Sequence, residues 1–133
     1  MIYLDTNMFV SAAAGDEAAK NILLEVATGK LDGATSCLTW DEFVWVMRKE
    51  FGREEVLKES KRLIAFPRLT FLDVDPQTLE QAHDLTEKYG LKPRDALHAA
   101  CATQNRITQM ISDDADFDRV KEIRRTPIVE YRS

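Results

Sequence analysis

Residues 2–7, Ile2-Tyr3-Leu4-Asp5-Thr6-Asn7, join a short apolar run to one acidic and two polar residues. Three apolar residues closed by turn-forming types are typical of a short buried strand. A similar arrangement returns late in the chain, where a predicted strand over 107–112 runs into Asp113, Asp114 and Asp116. We therefore expect a fold in which two buried strands both end in carboxylates.

Strand patterns and helical patterns alternate between these two stretches. The predicted strands cover residues 2–4, 33–38, 69–74, 107–112 and 127–131, and the predicted helices cover residues 16–29, 39–52, 54–65, 75–90, 92–105 and 116–123. This alternation favours the α/β class, as a three-layer α/β/α sandwich with a central parallel sheet and one domain over residues 1–133. Open parallel sheets bind ligands beyond the carboxyl ends of their strands, where the strand order reverses.

The composition is that of an ordinary folded domain. The chain has 133 residues, of which 44% are hydrophobic and 31% are charged, enough for a single core. No apolar run approaches the ~20 residues of a transmembrane helix, and the first residues lack the basic leader of a signal peptide. We therefore expect a cytoplasmic protein without a membrane partner, and buried, reduced thiols at Cys37 and Cys101.

The net charge of −5 by itself argues against a nucleic-acid partner. Five of the acidic residues, however, are candidates for a single site: Asp5, Glu42, Asp95, Asp114 and Asp116. Without them the chain has 18 acidic residues against 18 basic ones, and a bound cation would offset part of the remaining cluster. The overall charge therefore does not exclude a protein that binds nucleic acid.

Taken singly, several of these acids have a local explanation. Asp5 suits the N-cap of a helix that follows the first strand. Glu42 lies three residues after Thr39, which is the spacing of a capping box. Asp95 falls in the first turn of a predicted helix, where the helix dipole favours a carboxylate. Because Glu42 and Asp95 both open helices, their first turns can also face the edge of the sheet at which Asp5 lies.

Three carboxylates crowd the end of the fourth predicted strand, at Asp113, Asp114 and Asp116. A helix cap needs only one acid, and a cation relieves the repulsion among three. Since Asp5 and this group both follow strand ends, a parallel sheet would bring them to the same edge. Oxygen-only ligation, without the spacing of a histidine and cysteine site, suits Mg²⁺ or Mn²⁺ rather than zinc.

Four segments, in this order, carry a family pattern. They are residues 2–7 with Asp-Thr-Asn, 38–43 with Thr-x-x-Glu, 93–100 with Asp-Ala-x-x-Ala-Ala, and 111–117 with Ser-x-Asp-x-Asp-Phe. Together they resemble the PIN-domain ribonucleases, of the kind that forms the toxin half of many prokaryotic toxin–antitoxin pairs (VapC-like). The resemblance covers nearly the whole chain and implies an α/β/α sandwich that is usually dimeric.

The resemblance also implies roles for individual residues. It selects Glu42 over Asp41 and Asp114 over Asp113. The implied catalytic acids are Asp5, Glu42, Asp95 and Asp114, of which Asp5, Asp95 and Asp114 would bind Mg²⁺ (or Mn²⁺), supported by Asn7, Ser112 and Asp116. The implied reaction is endonucleolytic hydrolysis of RNA that leaves a 5′-phosphate and a 3′-hydroxyl. The implied partners are the RNA substrate, a cognate antitoxin and a second copy of the chain.

An RNA backbone also requires cationic contacts. Arg48, Lys49 and Arg94 are the candidates, because they share helices with two of the acids. His98 lies one helical turn after Asp95. It is either a proton donor or, as its alanine-rich surroundings favour, a packed structural histidine.

Three alternatives stay open. A phosphorelay receiver domain has the same size and alternation, but it needs an acid pair at the first strand, where this chain offers only Asp5, and a lysine before the last strand, where none immediately precedes Pro127. A haloacid-dehalogenase-like phosphatase needs Asp-x-Asp, whereas Asn7 occupies the second position. A non-catalytic binding module on the same fold is the third.

Overall fold

Five short parallel strands form one central sheet in the computed structural model, which describes residues 1–132. The strands are β1 Ile2–Leu4, β2 Gly33–Ser36, β3 Thr70–Leu72, β4 Gln109–Ile111 and β5 Arg124–Thr126. The helices are α1 Thr6–Ala13, α2 Glu17–Ala27, α3 Leu38–Met47, α4 Arg53–Ile64, α5 Pro76–Tyr89 and α6 Pro93–Gln104, with 3₁₀ helices at Ala115–Arg119 and Ile128–Glu130. None of the helices described is long and apolar enough to cross a membrane.

The helices cover both faces of the sheet. Successive strand residues point to opposite faces, so Tyr3 and Met110 belong to the core under α5 and α6. Leu4 and Ile111 belong to the core under α1, α2, α3 and α4. The predicted three-layer α/β/α sandwich around a parallel sheet is confirmed.

The strand order reverses beside β1. The order is β3-β2-β1-β4-β5, so the chain leaves β1 toward one side of the sheet and leaves β4 toward the other. Tyr3 is paired with Met110 and Leu4 with Ile111, which brings Asp5 and Ser112 together at the end of the two strands. This is the switch point at which open sheets bind ligands. Receiver domains have the order 2-1-3-4-5, so the receiver alternative is wrong.

The prediction of a last strand over 127–131 is wrong. The strand is Arg124–Thr126, and a 3₁₀ helix begins at Ile128. Pro127 lacks the N–H that a continuing strand would need, and the N–H of Ile128 donates to Asp113 Oδ1 at 2.9 Å instead. Because β5 is the polar edge strand Arg-Arg-Thr, it lacks the apolar run from which a strand is predicted.

Two smaller predictions also differ from the structure. The helix predicted over 116–123 is the shorter 3₁₀ helix Ala115–Arg119, which ends where Val120 takes an extended conformation. Cys37 is exposed at the N-terminus of α3, whereas Cys101 is buried as predicted. The segment around Cys37 is apolar, but a residue between a strand end and a helix lies at the rim of the sheet rather than in its core.

Gly33 allows α2 to pack closely on the sheet. A methyl group at this position would lie 2.9 Å from Val26 Cγ2 and 3.3 Å from a methyl carbon of Leu4. We expect Gly33→Ala to lower the free energy of unfolding by about 1–3 kcal/mol through overpacking, measured by urea denaturation. At Gly52 a methyl group meets no atom within 4 Å, so Gly52→Ala should cost less. Equal losses in the two variants would contradict the packing argument.

Candidate active site

Asp5 ends β1 and is almost fully buried. Its Oδ1 accepts the N–H of Thr6 at 2.8 Å, which makes it the N-cap of α1. Its Oδ2 accepts the Ser112 hydroxyl at 2.7 Å and the Asn7 amide at 3.2 Å. Burial raises the pKa of Asp5, and the charge of His98 together with these hydrogen bonds offsets the shift only in part. The carboxylate therefore has a fixed position, and burial makes its ionised form less favourable than in water.

Ser112 and Asn7 connect the ends of β1 and β4. Ser112 is 0% exposed, and its Oγ accepts the N–H of Asp114 at 3.0 Å and the Asn7 amide at 3.2 Å. Asn7 Oδ1 in turn accepts the N–H of Asp113 at 3.4 Å. The loops after the two strands are thus one hydrogen-bonded unit.

Three carboxylates meet beside this unit. One oxygen from each of Asp95, Asp114 and Asp116 lies within 4.8 Å of the others. Asp95 comes from the first turn of α6, and Asp114 caps the following 3₁₀ helix by accepting the N–H of Asp116 at 2.9 Å. Within residues 1–132 this is the group whose spacing fits a metal ion, and Asp5 lies next to it rather than in it.

The electrostatics of Asp95 fit a cation at this group. Burial, and then the negative charges of Asp114 and Asp5, raise the pKa of Asp95 to about 6. A hydrogen bond with Asp114 adds to this shift, so the protonated form of Asp95 is favoured. A divalent cation bound among the carboxylates would remove the same repulsion. The all-oxygen donor set suits Mg²⁺ or Mn²⁺.

Glu42 does not cap α3. The helix begins at Leu38, and its cap residue makes no side-chain hydrogen bond. The capping-box explanation is therefore wrong, since Thr39 pairs its hydroxyl with Thr35 at 2.6 Å. Glu42 Oε1 accepts the hydroxyl of Thr6 at 2.9 Å and a hydrogen bond from His98 Nε2. The side chain is directed to the end of β1.

Glu42 and His98 form a largely buried hydrogen-bonded pair. Burial opposes the charged form of Glu42, but the hydrogen bond and charge of His98, the Thr6 hydroxyl and the charge of Arg94 outweigh it and lower the pKa of Glu42. Burial likewise opposes the charged form of His98, but Glu42, Asp5 and Asp95 outweigh it and raise the pKa of His98. Each partner stabilises the charge of the other.

The alanine-rich surroundings of His98 favour a packed structural histidine over a proton donor, and the structure buries the ring among the acids. His98 is 1% exposed, and its Nε2 lies 3.6 Å from Asp5 Oδ1 and 3.4 Å from the Thr6 hydroxyl. The sequence pattern did not predict two further residues of the site, Tyr3 and Thr6, which bond to His98 and Glu42. Asp95 and His98 are three residues apart, which places both on one helix face, and this spacing could have indicated that His98 belongs to the site.

The three candidate phosphate contacts are not equivalent. Arg94 is exposed beside Asp95 and close enough for its charge to act on Glu42. Arg48 and Lys49 lie past the far end of α3 and stack over Trp45, 5.4 Å and 5.1 Å from its ring centroid. Of the three residues, Arg94 is the one that the fold places at the site.

A family model for the PIN domain matches residues 2–123. The chain belongs to the PIN domain family. No curated protein matched the sequence. The four motifs of the PIN pattern fall at the ends of β1 and β4 and in the first turns of α3 and α6, which surround the site described above.

Solved structures share this PIN fold at low sequence identity. A chain of DNA-bound VapBC from Salmonella typhimurium aligns with a TM-score of 0.78 and 20% identity, covering 96% of this chain and 99% of that one. VapC20 of Mycobacterium tuberculosis, a sarcin–ricin loop cleaving toxin, aligns with a TM-score of 0.75 and 18% identity, covering 91% of this chain and 95% of that one. A chain of a toxin–antitoxin complex from Klebsiella pneumoniae aligns with a TM-score of 0.72 and 22% identity, covering 93% of this chain and 96% of that one.

Proposed function

We propose that this PIN domain is a divalent-metal-dependent endoribonuclease and the toxin component of a toxin–antitoxin pair. The observation that carries the proposal is the group of Asp95, Asp114 and Asp116 at the switch point of the sheet, with Asp5 beside it. Membership of the PIN family and a fold shared with an RNA-cleaving toxin support it. The reaction is hydrolysis of an RNA phosphodiester to a 5′-phosphate and a 3′-hydroxyl.

The chain would divide the work among these residues as follows. Asp95, Asp114 and Asp116 would hold the cation, and Asp5, which lies beside them, would be the further acid that the resemblance implies. A divalent cation supplies Lewis-acid activation of water and neutralises charge on the phosphate. Arg94 contacts the RNA backbone. Glu42, fixed by Thr6 and His98, orients or deprotonates the attacking water.

Removal and return of metal ions is the test of this function. We expect the protein to cleave a sarcin–ricin stem-loop or a species within total cellular RNA in Mg²⁺ or Mn²⁺, to stop in EDTA, and to resume when the ion is restored. The measurement is gel analysis with mapping of the 5′ and 3′ ends. Mn²⁺ binding without cleavage of any RNA would contradict the nuclease and favour the non-catalytic binding module.

The antitoxin partner has a candidate docking surface away from the site. An open groove of ≈ 720 Å³ runs between α1, α2 and α4, with Phe9, Leu23, Leu24, Leu63 and Phe66 among its lining residues. Lys20, Arg62 and Glu59 also line the groove, and Arg62 is paired with Glu59 at 3.2 Å. Because solved chains of this fold come from toxin–antitoxin complexes, we propose that an apolar helical segment of the antitoxin binds here.

Leu24 offers a specific test of this groove. It is 62% exposed on α2, while Leu79 is 55% exposed on α5 and outside the groove. We expect Leu24→Lys to weaken binding of the adjacent gene's product at least about tenfold, because a buried interface core excludes charge, and Leu79→Lys to leave binding unchanged. Calorimetry on the purified pair measures both. If both variants weakened binding equally, or if neither did, the antitoxin would bind at another surface. The homodimer that the resemblance implies stays a prediction.

A further inference from the structure

The ring of His98 connects three elements of the fold. It lies on α6, and its Nδ1 is 2.5 Å from the hydroxyl of Tyr3 on β1. Its Nε2 is hydrogen-bonded to Glu42 on α3. Tyr3 is itself 0% exposed and packs edge-on against the ring at a centroid distance of 5.7 Å. The imidazole is therefore held from one side by a tyrosine and faces a site carboxylate on the other.

The hydrogen bonds determine which nitrogen carries a proton. If the ring is neutral, the Tyr3 hydroxyl donates to Nδ1, so the proton is on Nε2. If the ring is charged, both nitrogens carry protons and Nδ1 donates to the tyrosine oxygen. In both forms Nε2–H donates to Glu42. The other neutral tautomer would place a lone pair of Nε2 against a lone pair of Glu42 Oε1, which this geometry disfavours.

Glu42 is consequently fixed through one of its two oxygens. Oε1 accepts both the Thr6 hydroxyl, at 2.9 Å, and His98 Nε2. No hydrogen bond within residues 1–132 engages Oε2. The glutamate side chain has several rotatable bonds and would otherwise sample many rotamers, and each lost rotamer costs free energy. The two donors therefore set one orientation and leave Oε2 available for reaction.

We propose that His98 is a positioning residue, held by Tyr3, that fixes the carboxylate of Glu42 for RNA cleavage. The inference rests on the proposed function, since it assigns a purpose to the orientation of Glu42. A structural role alone does not account for the pair, because a leucine would fill the same space without desolvating a ring next to two carboxylates. Outer-shell partners of this kind typically contribute 10–100-fold to activity.

The kinetic test compares His98→Leu, His98→Gln and Tyr3→Phe with Tyr89→Phe. Tyr89→Phe also removes a hydroxyl bonded to a side chain, that of Glu122, but outside the site. We expect His98→Leu to lower kcat by roughly 10–100-fold with little change in KM. His98→Gln should recover part of the loss, since its amide N–H reaches the position of Nε2. Tyr3→Phe should lose less than His98→Leu, and Tyr89→Phe nothing.

A double-mutant cycle with Glu42→Gln distinguishes positioning from general packing. If His98 acts through Glu42, the variant His98→Leu/Glu42→Gln should be no slower than Glu42→Gln alone. Additive losses would overturn the proposal. Full activity in Tyr3→Phe would also overturn it, because this substitution removes only an oxygen and keeps the core filled.

Nuclear magnetic resonance separates this inference from the nuclease itself. Long-range ¹H–¹⁵N spectra of the metal-free protein report the protonation of both ring nitrogens without any RNA. We expect a proton on His98 Nε2 in the wild type and a changed Nε2 signal in Glu42→Gln. A neutral ring protonated at Nδ1 would overturn the inference even if the protein cleaves RNA. If the spectrum is as expected but the protein cleaves no RNA, the His98–Glu42 contact is supported and the proposed function is rejected.

Discussion

Replacing Asp114 with Asn is expected to abolish RNA cleavage while leaving the fold at least as stable. The side chain is one of three carboxylates within 4.8 Å of one another, so the substitution removes a charge that the cation requires. Loss of one such electrostatic contact costs on the order of 10³-fold in rate. Asn retains the oxygen that accepts the N–H of Asp116 at 2.9 Å. The repulsion that helps raise the pKa of Asp95 is also reduced.

The adjacent residue provides the control for Asp114. Asp113 is exposed, and its Oδ1 accepts the N–H of Ile128, a bond that Asn also makes. Asp113→Asn should therefore cleave RNA at the wild-type rate. Thermal unfolding in EDTA and in Mn²⁺ should show a stabilising shift by the ion in wild type and Asp113→Asn, but not in Asp114→Asn. Equal loss of cleavage in both variants would contradict the choice between these neighbours.

The fold was predictable because its signals are local. Ile2–Leu4 and the apolar part of β4 are short buried runs that end in polar residues, and the helices between strands require parallel pairing. The polar strand Arg124–Thr126 was not predictable from an apolar pattern. Its position follows from its neighbour, since Arg124 donates its N–H to Thr108 at 2.8 Å and its partner strand β4 fixes the register.

The site was predictable only in part, because its decisive contacts join distant residues. The spacing of Thr39 and Glu42 is compatible with a local cap, yet Glu42 bonds to His98, 56 residues away. His98 and Tyr3 are 95 residues apart. No periodicity within a helix or strand contains that information. The resemblance supplied the acids, but neither the hydrogen-bonding partner of Glu42 nor the closeness of Asp116 to Asp95.

Electrostatics explain why caps and candidate ligands are the same residues. Asp5 and Asp114 each accept the N–H of a residue in the first turn of the helix that follows them. A helix N-terminus stabilises a carboxylate by its dipole and its free N–H groups. At the carboxyl edge of a parallel sheet, these stabilised carboxylates also face one another. The local and the functional interpretations of the acids are therefore compatible, and the sequence alone had no means to choose between them.

Removing the hydroxyl of Ser112 is expected to damage both stability and cleavage. This single oxygen donates to Asp5 Oδ2 at 2.7 Å and accepts the N–H of Asp114 and the Asn7 amide. In Ser112→Ala the Asp5 carboxylate and the two part-buried donors lose this partner, at a cost of about 1–3 kcal/mol. Because Asp5 and Asp114 are then no longer held in one unit, the cleavage rate should fall roughly 10–100-fold.

Ser60 is the matched control for Ser112. It is also buried, at 5% exposure, but its hydroxyl donates only to the carbonyl of Leu57 within α4. Ser60→Ala should therefore cost little stability and no activity. The measurements are urea denaturation in EDTA and cleavage rates in Mn²⁺, each compared with wild type. If Ser112→Ala lost stability but kept full activity, the hydroxyl would join two strand ends without positioning the acids, and the two loops would act independently in cleavage.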